Sequence, residues 1–200
     1  MSGRRRRNKG NRRRPTAFGT PLSPAPMPAR LPDPLPARFV ASLTATVRCT
    51  VEHALLDDGR AEVEEKSVAF EAHVDTEAGT VRVVGFPEIE AEVGTAIGRI
   101  TTAVRVEGEP EGTYDAETGR VEVEAVLTFD PSSLLARSSD VSVTLRSDAR
   151  LADPKATGNP LEADDTRVVL VGEGLFEGGS VDGGRLGLVL DCRVAAFEAD

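Results

Sequence analysis

Few side chains in this chain are suited to ligating a metal or attacking a substrate. His53 and His73 are the only histidines, and Cys49 and Cys192 the only cysteines. Zinc sites draw on closely spaced ligands, and neither HxH, HExxH nor CxxC occurs. The two histidines also fall on opposite parities of their alternating segments, so they point to different faces. Carboxylate pairs stand at Asp57 with Asp58 and at Asp164 with Asp165. Such pairs divide into acid and base only where a cleft raises one pKa, and both lie beside turn residues, which makes them turn formers. Ser180, in GGSVDGG, lacks a GxSxG frame and has no histidine near it in sequence. DTEAGT and DAETGR lack the ligand count and terminal Glu of a calcium loop, and there is no P-loop. No catalytic residue, metal site or cofactor is assigned, and a non-enzymatic reading is favoured.

A different chemistry is concentrated at the start. RRRRNKGNRRRP, residues 4–15, carries Arg4, Arg5, Arg6, Arg7, Lys9, Arg12, Arg13 and Arg14 with no acidic residue among them. Eight such charges suit a phosphate backbone or another polyanion, bound without sequence preference and with strong salt dependence. The run has no aromatic side chain on which bases would stack.

The elements that must position these groups divide by charge. The chain has 200 residues and formal net charge −9. Residues 1–38 hold ten Lys or Arg against the single Asp33, a balance of +9, which leaves −18 for the remainder. Prolines recur from Pro15 to Pro36, so this stretch reads as an extended, partly polyproline II spacer. We therefore expect a disordered basic arm and Pro-rich spacer over 1–38 and one domain over 39–200. The arginines are not followed by an apolar stretch, so neither a secretory signal nor a membrane span is expected. With two cysteines, a cytoplasmic location is the expectation.

From residue 39 onward the hydrophobic period is two. Leu43, Ala45, Val47, Cys49, Val51 and His53 share one face of the first segment, and Ser42, Thr44, Thr46, Arg48, Thr50 and Glu52 the other. Val68–Val74, Ile100–Val106 with Thr102 on its apolar parity, Val121–Phe129, Val141–Leu145 and Leu186–Ala196 alternate in the same way. Glu88, Glu90 and Glu92 alternate against Ile89, Ala91 and Val93, and VVLV at 168–171 is apolar throughout. LDDGR, DTEAGT, DAETGR and VDGGR supply Asp and Gly where tight hairpins need them. HVDTEAGTVRV and TYDAETGRVEV share D-x-E-x-G-x-V at a spacing of forty, read as one hairpin solution used twice. The domain is thus expected to be all-β: an antiparallel meander of eight to ten strands, closed into a barrel or packed as a two-sheet sandwich. If the first and last strands pair, Cys49 and Cys192 become neighbours, both as small buried hydrophobes. Residues 147–165 form the one long irregular loop, where binding function tends to sit.

GEGLFEGGSVDGG, residues 172–184, holds six glycines and reads as close strand approach or bulges. Together with its flanks, VVLVGEGLFEGGSVDGGRLGLVL resembles the glycine-rich hairpin of allene oxide cyclase and dirigent barrels, with Gly172, Gly174, Phe176 and Gly178 at the matching positions. The later glycines are displaced by an insertion, and the likeness covers about 25 residues. It implies a small-molecule-binding barrel, a cyclase or isomerase acting on an apolar metabolite.

Three functions are therefore expected in order. The first is a binding module whose cationic arm attaches to a polyanion such as nucleic acid. The second is a capsid- or shell-like subunit, and the third is the small-molecule barrel. Homo-oligomerisation is compatible with each.

Overall fold

The computed structural model describes residues 31–95, 98–133, 136–151, 157–161 and 166–199. Ten strands account for most of them: β1 (Arg38–Glu52), β2 (Arg60–Asp75), β3 (Thr80–Val84), β4 (Ile89–Thr95), β5 (Gly98–Val106), β6 (Glu111–Asp115), β7 (Arg120–Pro131), β8 (Ser139–Arg146), β9 (Arg167–Glu177) and β10 (Arg185–Ala199). All pairings are antiparallel. In order β7-β6-β3-β2-β1-β10-β9-β8, eight strands form a ring that closes through β7 with β8. The barrel form of the expectation is the one adopted, and the ring hydrogen-bonds both edges of the long strands β1 and β10.

The hairpin β4–β5 stands outside this ring. The chain leaves after β3 and comes back as β6, and β3 and β6 then pair with each other, Val81 opposite Gly112. The exit and return points touch, since the Val83 N–H donates to the Pro110 carbonyl at 2.8 Å. One edge of β7 is consequently shared. Its first half, Arg120–Glu124, pairs with β6, and its second half, Leu127–Pro131, pairs with β5. A bridge between Leu56 and Thr95 ties the tip of the excursion to the β1–β2 turn. The lower wall is therefore built by β3 and β6, the upper wall by β4 and β5.

Alternation sets what lies inside. Phe39, Ala41, Leu43, Ala45 and Val47 of β1 join Phe70, Ala72 and Val74 of β2 and Leu186, Leu188, Leu190, Cys192 and Val194 of β10 in one apolar cluster. Near the middle of β1 the strict period fails. The register with β2 shifts between Val47 and Cys49, so Cys49 is half-buried while Thr50, on the polar parity, is buried. Thr50 lies opposite Gly187, and Leu151 covers that glycine from outside. His53, counted with the apolar face from sequence, falls beyond the end of β1.

The continuous run VVLV has a matching cause. Val168 and Leu170 face the barrel interior, while Val169 and Val171 point outward and pack with Leu151 and Val189 in a second cluster. Of the described parts of the 147–165 loop, Leu151 thus covers the outer wall while Leu161 packs inward. Asn159 bridges to Val169, and Leu161 reaches the main cluster.

The four expected hairpin turns connect β1–β2, β2–β3, β6–β7 and β9–β10. The two near-identical ones lie side by side, because β3, which leaves the first, pairs with β6, which leads into the second. In each, Asp accepts backbone N–H bonds, Asp75 from Ala78 at 2.8 Å and Asp115 from Glu117 at 2.9 Å. The Ala78 N–H and then Arg38 on Asp75, and the Thr118 hydroxyl and then the Glu117 N–H on Asp115, hold both carboxyls below the ordinary Asp range. Below them the barrel is sealed. Leu31 is only 4% exposed and Leu35 packs on the same cluster, so residues assigned from sequence to the spacer already belong to the folded body.

Candidate functional site

The barrel interior is filled in its lower half, where Phe39, Phe70, Tyr114 and Leu161 surround a void of only about 60 Å³. At the upper mouth the packing opens into a cavity of about 250 Å³. Its floor is Phe129 of β7 against Phe176 of β9, rings edge to face with centroids 4.9 Å apart at 81°. Such a pair is worth about 0.5–1.5 kcal/mol beyond the area it buries.

Four connections build the walls. Leu55 and Leu56 come from the β1–β2 turn, and Leu55 is 57% exposed at the rim. Val93, Thr95, Ile100 and Thr102 come from the β4–β5 excursion, Ala136 and Arg137 from the β7–β8 connection, Ser139 from the start of β8, and Ser180 and Val181 from the short 3-10 turn after β9. Hydrogen bonds fix the last two against each other. The Arg137 N–H donates to Ser180 Oγ at 2.7 Å, and the Ser180 N–H returns to the Arg137 carbonyl at 3.2 Å. Ser139 Oγ accepts from the Val181 N–H at 3.4 Å. Gly179 permits this approach: its φ is +69°, and a Cβ there would lie 2.0 Å from the Ser138 carbonyl oxygen.

Thr102 is a polar residue of the lining that stands on the inner face of a strand. It is 7% exposed and lines the cavity from the inward face of β5. Among the described lining residues Arg137 is the sole ionisable side chain; no carboxylate, imidazole or thiol faces the cavity.

Of the described residues singled out from sequence, Ser180 and Phe176 line the cavity and the titratable ones lie elsewhere. Strands β1 and β10 do pair, but Cys192 stands opposite Ala45 and Cys49 opposite Leu188. That offset of four residues is about 13 Å along a strand, well past the roughly 7 Å limit for a disulfide. Both are free thiols, and burial pushes each up to about 12, leaving them protonated and inert at neutral pH. His53 lies in the β1–β2 connection, where Nδ1 accepts the Leu55 N–H at 3.2 Å. His73 is far down β2, opposite Val40 and Arg82. No group of three or more metal-ligating side chains occurs among the described residues. Asp57 and Asp58 form the exposed β1–β2 turn, and Asp164 and Asp165 lie outside the described residues, as do Arg4, Arg5, Arg6, Arg7, Lys9, Arg12, Arg13 and Arg14. No helix of the described residues is long and apolar enough to cross a membrane.

Of the glycine run, Gly172 and Gly174 let β8 approach β9 closely, since a Cβ at either would come within 2.5 Å of a β8 carbonyl oxygen. Phe176 between them and the turn becomes the cavity floor. Sequence reasoning placed Thr102 on an apolar face without remarking on it, and a lone threonine in that position was the available signal. Arg137 gave none. No protein family, curated protein or solved structure matches the chain, so the likeness of Gly172, Gly174, Phe176 and Gly178 to the glycine-rich hairpin of allene oxide cyclase and dirigent barrels rests on those residues alone.

Proposed function

We propose that this barrel is a binding module that holds a small apolar molecule in its upper mouth. The observation that carries the reading is the cavity of about 250 Å³ with an aromatic floor and largely apolar walls. Apolar walls with few fixed polar groups are the usual make-up of small-molecule sites. A cyclase or isomerase needs a group to move protons, and the described lining offers none within reach, which favours binding over turnover. The test is binding of the uncharged dye Nile red. A single saturable site is expected in the full chain, and Val93→Trp, which fills the mouth from β4, should weaken it at least about tenfold. Undiminished binding by a Val93→Trp protein that melts normally would overturn the reading.

The basic arm carries a second role on a separate observation, the division of +9 in residues 1–38 against −18 beyond. The arm attaches to a polyanion, nucleic acid being the most common one, while the acidic barrel is repelled from it. Removing residues 1–14 should abolish binding to a DNA oligonucleotide and leave the far-ultraviolet spectrum of the barrel unchanged. In the full chain the slope of log K against log salt should approach about −7 if all eight cations engage phosphates. Equal binding by both proteins would dismiss this role. The shell-subunit alternative draws no support from the strand order, which is a meander with an inserted hairpin rather than paired Greek keys.

A further inference from the structure

Arginines of this barrel usually have an acidic partner. Nine of them, from Arg38 to Arg167, lie within 4.0 Å of a carboxylate. Arg137 is different. Its backbone is pinned on both sides by Ser180, yet its guanidinium has no hydrogen bond or ion pair among the described residues. Asp130, the last carboxylate of β7 before it in sequence, is engaged by Arg105 at 3.6 Å and by the Ser138 hydroxyl at 2.8 Å. Arg150, Arg185 and Arg193 also lack an ion pair, but none of them lines the cavity. In a body of charge −18, an arginine left without a carboxylate at the rim of an apolar cavity has its own charge to offer to what enters.

We infer that the ligand is an amphiphile with a single anionic head, an oxyanion such as a carboxylate or a sulfate. Its apolar chain lies on Phe129 and Phe176, its head meets the Arg137 guanidinium at the rim, and the Thr102 hydroxyl donates to any polar atom along the chain. This rests on the cavity reading above and adds the ligand's charge. Guanidinium is suited to the task because it stays protonated and presents a fork of N–H donors to an oxyanion. At about 30 Å³ for each water-sized unit, the cavity holds about eight, which sets the chain at about eight carbons. The exposed Asp57 and Asp58 of the β1–β2 turn flank the same mouth without lining it. They oppose the inference, because they would attract a cationic head instead.

The experiment is calorimetric titration of the full chain with octanoate, octyl sulfate, octanol and octylammonium. Both anions should bind about tenfold more tightly than octanol. In Arg137→Gln that preference should vanish while octanol binds as before, and Arg137→Lys should keep part of it. Equal binding of octanol and the anions, or a preference for octylammonium, would overturn the anionic head and leave the cavity reading standing. Failure of all four to bind, together with loss of the Nile red site, would overturn both.

Discussion

Gly119→Ala should destabilise the barrel by about 2–5 kcal/mol, while Gly79→Ala, the same change in the sister turn, should cost about 1–2 kcal/mol. Both glycines have φ of +67° and end equivalent turns, so both lose the conformational freedom that alanine lacks there. They differ in what covers them. A Cβ on Gly79 would come to 3.3 Å from the Tyr114 carbonyl oxygen, a tight but tolerable contact. On Gly119 it would stand 2.0 Å from the Leu161 carbonyl oxygen, and the Leu161 N–H already donates to the Gly119 carbonyl at 2.9 Å. Alanine at 119 must therefore push away the segment that carries Leu161 into the core. Urea unfolding of the two variants measures the difference. Equal losses would mean that this segment does not seat on the β6–β7 turn.

Phe176→Ala should cost about 3–5 kcal/mol and remove the Nile red site as well. Phe176 is 2% exposed, pairs opposite Val141 of β8, and its ring meets that of Phe129. Truncation leaves a hole that joins the cavity above it, and the rigid walls of a closed barrel limit collapse into it. Its effect should not add to that of Phe129→Ala: a double-mutant cycle should return a coupling of about 0.5–1.5 kcal/mol. A loss below about 1 kcal/mol for Phe176→Ala would show that the floor is not a packed one.

The body was legible in sequence wherever one face is wet and the other dry. Val121–Phe129 and Leu186–Ala196 alternate without a break and became β7 and β10, and each Asp-Gly turn joined the strands on either side of it. Parity misled where a second layer covers the outer face. Thr50 is buried under Leu151, and Val169 with Val171 is dry on a wall that would otherwise meet water. The shift after Val47 came from strand pairing, which a single strand's pattern does not carry.

The site was less legible than the fold because it is made of residues far apart in sequence. Phe129 and Phe176 meet only through β8, which stands between β7 and β9, and Arg137 is fixed by Ser180 across 43 positions. The local pattern of ITTAV turns Thr102 inward but does not distinguish a packed core from a cavity, because that depends on β4–β5 leaving the ring. Cys49 and Cys192 show the converse: their strands paired as expected, yet the register kept the two thiols apart.

The β4–β5 excursion has one more consequence. Its two ends meet at Val83 and Pro110, and the ring of eight strands closes without it. Residues 85–109 are thus a cassette: an insert that brings Val93, Thr95, Ile100 and Thr102 to the mouth's wall while contributing no link to the closed hydrogen-bonded circuit. Changes of sequence or length in that insert can retune what the mouth accepts while selection for folding acts on the other eight strands. Lineages that carry this barrel should accordingly differ most between those two positions.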